Sequence, residues 1–136
     1  SVSELLLKTW MNSDNVKSLN WVIESRSTKE TIGTISLFNI DYTKRSCEVG
    51  YCLSRFYWNQ GLMTECLKYI LKFAFKKGIK LIEGRCHHDN VASIKVLTNN
   101  GFRFVEEFKI VMSKNNHEEI IYKYQLTYGE WKKCEV

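Results

Sequence analysis

A polar loop, Arg55–Glu65, which holds Asn59, Gln60, Gly61, Leu62, Met63 and Thr64, joins a β-prone stretch, Cys47–Ser54, to a strongly helical one that continues to Phe75. A strand entering a helix through such a loop leaves free N–H groups at the helix start. With the helix dipole behind them, these groups attract an anion such as a phosphate. Gly61 lies where the backbone would approach that anion closely. Taken alone, a segment of this kind is more often a plain connection, and Trp58 beside it reads as a packing aromatic. Further on, Asn90 fits a helix N-cap, with Ser93 three residues later inside the first turn. His87, His88 and Asp89 are metal-type donors. Adjacent histidines are expected to point apart and no third ligand has suitable spacing, so no metal is expected. Cys86 reads as buried rather than reactive.

The elements that position these residues follow from periodicity. Ser1–Met11 reads as a short helix capped by Ser3, with Leu6, Leu7 and Trp10 on one side, ended by the turn Asn12-Ser13-Asp14-Asn15. Leu19–Glu24 and Thr31–Ile40 read as strands. Ile32, Thr34, Ser36 and Phe38 are expected on one face of the second, with Gly33, Ile35, Leu37 and Ile40 on the other. Cys47–Ser54 completes an antiparallel meander. The central helix, Gly61–Lys77, carries Leu62, Cys66, Ile70 and Phe73, and also Met63, Leu67, Leu71 and Ala74, at helical spacing. Gly78 supplies its left-handed end. A strand at Leu81–Cys86 follows through a right-handed crossover, parallel to its predecessor. Val91–Asn99 is a second helix, stopped by Gly101. Phe102–Met112 and Glu118–Thr127 are strands of a hairpin turning at Ser113–His117, and Tyr128–Lys133 is a short helix.

This order predicts one domain over residues 1–136 with a mixed sheet and helices, α+β or α/β. Apolar residues make up 44% of the chain, enough for a real core, and the net charge is +5. The basic residues are scattered rather than gathered in a stripe, so direct nucleic-acid binding is not expected. No apolar run is long enough to span a membrane and no signal peptide opens the chain. The 5 cysteines, Cys47, Cys52, Cys66, Cys86 and Cys134, are odd in number and lack a C-x-x-C. They read as reduced thiols of a cytoplasmic protein.

Two blocks carry a resemblance. Tyr57–Glu65, Y-W-N-Q-G-L-M-T-E, resembles the acetyl-CoA pyrophosphate loop of the GNAT N-acetyltransferases, closest to the ribosomal-protein alanine acetyltransferase branch, where it often reads Y-W-G-K-G-Y-A-T-E. His88–Phe104 resembles that branch's N-x-x-S-x-x-(V/L)-(L/A)-x-x-x-G-F block. The similarity runs from about Leu19 to Trp131. It implies the GNAT fold: a three-layer, mixed and mostly antiparallel sheet with a central helix. The strands flanking that helix splay apart to admit the pantetheine of acetyl-CoA. Family members usually carry about one more strand and one or two more helices ahead of this chain's start, so N-terminal elements are expected to be missing.

The resemblance also implies chemistry. Acetyl transfer to an amine needs a neutral amine, a donor for the thioester oxygen and a proton for the leaving thiolate. The loop Asn59–Thr64 would hold the pyrophosphate, with Met63 standing where the family usually has glycine or alanine. Trp58 is normal in this branch. Tyr51, Cys52 and Leu53 would offer backbone groups to the pantetheine, with the Leu53 N–H a candidate for the thioester oxygen. Asn90 would bond the pantetheine and Ser93 would protonate the thiolate. The tyrosine that other branches use as acid is absent from the Val96-Leu97-Thr98 neighbourhood. Glu48 is the candidate base. A base position on the final hairpin falls near Met112, and Glu106, Glu107, Glu118 and Glu119 do not match it. The implied activity is acetyl-CoA-dependent N-acetylation of a protein N-terminal amine or a small amine, by a monomer or homodimer. The alternatives are a non-catalytic acyl-CoA-binding module and, behind it, a ribosome- or RNA-associated basic domain.

Overall fold

Alternating apolar residues set the faces of the sheet, and the helices follow the apolar face. The computed structural model describes residues 5–11, 17–112 and 114–134, residues 5–11 as backbone. Among them, strands β1 (Leu5–Met11), β2 (Leu19–Ser25), β3 (Thr31–Asp41), β4 (Ser46–Leu53), β5 (Leu81–His87), β6 (Arg103–Met112) and β7 (His117–Thr127) form one sheet. Its spatial order is β1-β2-β3-β4-β5-β7-β6. The helices are α1 (Leu62–Lys76), α2 (Val91–Asn99) and α3 (Tyr128–Cys134). Only β4 and β5 pair in parallel; every other pair is antiparallel. That is the mixed, mostly antiparallel sheet expected.

Trp21 and Ile23, Ile35 and Leu37, Cys47 and Val49, Ile82 and Cys86, and Tyr124 and Leu126 are the buried sets of β2, β3, β4, β5 and β7. Against this face α1 buries Leu62, Met63, Cys66, Leu67, Ile70, Leu71, Ala74 and Phe75. Each of the Leu, Ile, Met and Phe side chains among them contributes about 1.5–3 kcal/mol relative to exposure. Phe73 departs from expectation. It lies at the edge of the stripe with its ring edge-on to Trp21 at 5.3 Å, while Phe75 is buried and stacks on Trp131 of α3 at 5.0 Å. Leu97 of α2 rests on Gly84 of β5. All three helices therefore share one face, and no described element covers the other.

Two further expectations are corrected. Leu5–Met11 is a strand, not part of a helix: it pairs along its whole length with β2, from Leu5 opposite Ser25 to Met11 opposite Leu19. Pairing with the next strand outweighs the local helix preference of Leu-Leu-Leu-Lys. The Ser3 cap and the turn Asn12-Ser13-Asp14-Asn15 lie outside the described residues. In β3, Ile32 is buried with Ile35 and Leu37, not exposed with Thr34. The register against β2 shifts between Ile23 and Glu24, which leaves Ile32 as an extra residue and turns its side chain to the core.

Candidate functional site

Four parallel pairs join β4 to β5, from Ser46 opposite Leu81 to Val49 opposite Gly84. Past Val49 the strands part. β4 stays with β3 as far as Leu53 opposite Gly33, whereas β5 stays with β7 as far as His87 opposite Ile121. A Cβ on Gly33 would stand 2.5 Å from the Cys52 carbonyl oxygen, so glycine is what lets β3 hold β4 this close. The gap so made leads into a cleft of about 360 Å³. Its walls are Tyr51, Cys52 and Leu53 of β4, the start of α1, and the first turns of α2.

The start of α1 opens onto the cleft. Gly61 is its N-cap with φ +73°, and a Cβ there would meet nothing within 4 Å. The residue has the left-handed conformation that favours glycine and faces open space. Asn59 is also left-handed, with φ 60°. Asn59, Gly61, Leu62, Met63 and Thr64 all line the cleft. Gln60 does not: its side-chain amide donates to the Phe56 carbonyl at 3.3 Å. Met63 is 5% exposed, so its side chain has joined the core rather than filling the cleft. Trp58 lines the cleft and donates its indole N–H to the Leu53 carbonyl at 2.7 Å. That bond ties the loop to the end of β4.

Asn90 caps α2, its side-chain oxygen accepting from the Ser93 N–H at 3.1 Å. Asn90 and Ser93 also line the cleft, so capping and cleft-lining coincide. The Ser93 hydroxyl lies 2.9 Å from the Tyr51 phenol oxygen, and that phenol also reaches the Ser93 carbonyl at 3.0 Å. Burial pushes the Tyr51 phenol up to about 12, its bond to Ser93 offsetting part of the rise and Cys86 adding to it. Burial likewise raises the Cys86 thiol, again partly offset by Ser93, so Cys86 is the inert thiol expected. The side chain of Tyr51 is what sequence reasoning missed. Strand period two puts Tyr51 on the face of Val49, the helix face, and so within reach of α2.

The same parity places Glu48, three residues before Tyr51, on the uncovered face. Glu48 lines neither the cleft nor the smaller cavity of about 200 Å³ that continues it between β4 and β5. Its carboxylate accepts from the Asn39 amide and pairs with Arg85 Nε at 3.1 Å. Arg85 itself lines the smaller cavity, as do Tyr51, Ser93 and Leu97 from the helix side. The gap thus runs through the sheet, with Ser93 and Tyr51 at one side and the Arg85–Glu48 pair at the other. Arg85 also reaches Glu83 at 3.8 Å, and Lys123 bridges Glu83 and Glu106 at 3.5 and 3.7 Å. This charge ladder neutralises Glu48 and Glu83, which stand directly opposite each other.

His87, His88 and Asp89 are not splayed as expected. β5 ends at His87 and the chain turns at once, so the side chains do not alternate. One ligand atom from each lies within 4.8 Å of the others. No described helix is long and apolar enough to cross a membrane.

Comparison with known proteins agrees with this geometry. The acetyltransferase (GNAT) domain family matches residues 1–103. The uncharacterised N-acetyltransferase YoaA of Bacillus subtilis is 32% identical over 88 residues, 64% of this chain and 50% of that protein. The chain spans about half the length of the curated relatives it matches. Among solved structures, the ribosomal-protein-S5-alanine acetyltransferase of Vibrio fischeri superposes with TM-score 0.77 at 25% identity, over 85% of this chain and 64% of that one. The spermidine/spermine N-acetyltransferase SpeG of Vibrio cholerae superposes with TM-score 0.83 at 15% identity, over 98% of both chains, which is a likeness of fold.

Proposed function

The chain belongs to the GNAT acetyltransferase domain family, and from that premise we propose that it is an acetyl-CoA-dependent N-acetyltransferase. The acceptor is a primary amine, a protein N-terminal amine first and a small amine second. The observation that carries this reading is the gap between β4 and β5, with a glycine-opened helix start on one wall and the Ser93–Tyr51 pair on another. The backbone N–H groups from Asn59 to Thr64 bind the pyrophosphate, Gly61 allowing its close approach. The edge of β4 that β5 leaves past Val49, from Tyr51 to Leu53, bonds the pantetheine through its groups other than the Leu53 carbonyl, and Asn90 assists. Acetyl-CoA supplies a thioester whose acyl carbon accepts an amine directly. The amine nitrogen bonds that carbon and the carbon–sulfur bond breaks. Ser93 gives its hydroxyl proton to the departing sulfur and takes one from the Tyr51 phenol, which regains its proton from solvent. The amine's surplus proton leaves through water to Glu48 on the uncovered face, the side from which the acceptor enters. The V. fischeri protein's name supports the protein N-terminal acceptor.

A second reading, an acyl-CoA-binding module without turnover, is favoured by one observation. No described carboxylate lines the cleft, and Glu48 is engaged by Arg85. Incubating the full-length protein with acetyl-CoA and a panel of N-terminal peptides and small amines, with mass detection of the acetylated product, separates the two. Calorimetry with CoA completes the test. Binding with turnover supports the enzyme, binding without turnover supports the module, and no binding overturns both.

A further inference from the structure

We propose that His87, His88 and Asp89 bind a divalent transition ion, of the Zn²⁺, Ni²⁺ and Co²⁺ class, beside the acetyl-CoA cleft. The proposal does not depend on the chain being an active transferase. The donor atoms of these three residues lie within 4.8 Å of one another, a spread that side-chain rotation must close to the separation of about 3–4 Å set by bonds of about 2.0–2.2 Å. The ring centroids of His87 and His88 are 4.8 Å apart, with the planes tilted by 36°. Two imidazoles and a carboxylate suit a borderline ion better than Mg²⁺ or Ca²⁺, which take oxygen donors.

An independent feature points the same way. A ligating histidine ordinarily has its second ring nitrogen tied to a carboxylate, which fixes the ring and its tautomer. Here His87 Nε2 is bonded to Glu119 of β7, and Glu119 is held in turn by His117 Nε2 at 3.2 Å. His87 Nδ1 faces Asp89. An ion bridging that nitrogen and the Asp89 oxygen takes the place of one proton, which goes to solvent, while Nε2–H stays on Glu119. The backbone is already set for this. The His88 N–H donates to the Ile120 carbonyl at 3.0 Å, the Asn90 N–H to the His87 carbonyl at 3.0 Å, and the Val91 N–H to the Asp89 carbonyl at 2.9 Å. Water completes the coordination on the exposed side. Since Asn90 follows directly, the ion would clamp the turn that carries the α2 cap and Ser93 into the cleft.

The test uses the full-length protein stripped with a chelator, then titrated with Co²⁺ by absorption and with Zn²⁺ by calorimetry. One ion per chain is expected, with a nitrogen- and oxygen-ligated Co²⁺ spectrum lacking the sulfur charge-transfer band. His88→Ala and Asp89→Asn should each weaken binding at least about tenfold, and Glu119→Gln by about tenfold or more through the ring it orients. Circular dichroism of each variant checks the fold, and Asp89→Asn keeps the side chain's shape if His88→Ala does not fold. No saturable binding would overturn the proposal. So would a thiolate spectrum, or equal affinity in all three variants, which would place the ion elsewhere.

Discussion

Ser93 and Tyr51 share one proton network, and their roles separate kinetically. Removing a proton donor acts on the transition state, whereas removing a packing contact acts on stability. Ser93→Ala is expected to lower kcat by about tenfold or more while CoA affinity, proposed to rest on backbone groups, stays near the parent value. Tyr51→Phe keeps the ring in place and removes only the phenol, so it should lower kcat less. Because burial holds the Tyr51 phenol up to about 12, it stays a donor over the whole working range. The rate should therefore rise with pH as the acceptor amine becomes neutral, with no falling limb until the phenol itself titrates. Steady-state kinetics across pH checks this, and normal turnover with only a lowered Tm in Ser93→Ala would leave Ser93 a capping residue. For Glu48, replacement by Gln keeps the bond to Asn39 possible and removes the proposed base. Turnover at neutral pH is expected to fall roughly a hundredfold, the scale of general base catalysis. Raising the pH should recover part of the loss, because the amine then needs no help. An unchanged rate at every pH would make Glu48 a member of the charge ladder only.

At the scale of elements, close packing of α2 on β5 sets where Ser93 stands. A Cβ at Gly84 would come 2.7 Å from the Leu97 Cδ2, and Leu97 is fully buried. Gly84→Ala is thus expected to destabilise by about 1–3 kcal/mol through overpacking, read by urea denaturation. Leu97→Ala in the same chain should relieve part of the clash, giving a coupling that two separate losses would lack. Most element boundaries were legible in the sequence because their signals are local. Asn90 three residues before Ser93, the apolar stripe of α1, and Gly78 at its end each speak within one turn of helix. β1 was not legible, since nothing in Leu5–Met11 alternates and its partner is Leu19–Ser25. Nor was the placement of β7 between β5 and β6, a spatial order that the chain order hides. At the candidate site the loop and the Asn90–Ser93 block were readable from wording. The bonds from Tyr51 to Ser93 and from His87 to Glu119 cross 42 and 32 residues and carry no sequence mark. The side of the sheet taken by Glu48 was readable in principle, because an odd separation from Tyr51 already puts the two on opposite faces.

The whole molecule is a sheet in two parts, β1–β4 and β5–β7–β6, joined by the four parallel pairs at the base of the gap and by α1 crossing behind. A ligand that bonds the edge of β4, the start of α1 and the start of α2 together bridges both parts. It binds the folded state alone, so it stabilises by mass action, by about 2.7 kcal/mol at a hundredfold excess over Kd. For a domain of this size that is a rise in Tm on the order of 5–15 °C. Hydrogen exchange should show where the gain falls. Added protection is expected from Gly50 to Leu53, from Gly61 to Glu65 and from Asn90 to Ile94. Little is expected at the tip of the β6–β7 hairpin, which extends past the last β5 pair, His87 opposite Ile121. Gly61→Val is the control. A β-branched side chain is strained at φ +73° and would project into the open space above the helix start. The variant should lose most of the CoA-induced rise in Tm and the local protection at all three segments. An undiminished rise in a folded Gly61→Val protein, or protection confined to the hairpin tip, would mean that the cleft between β4 and β5 is not where CoA binds.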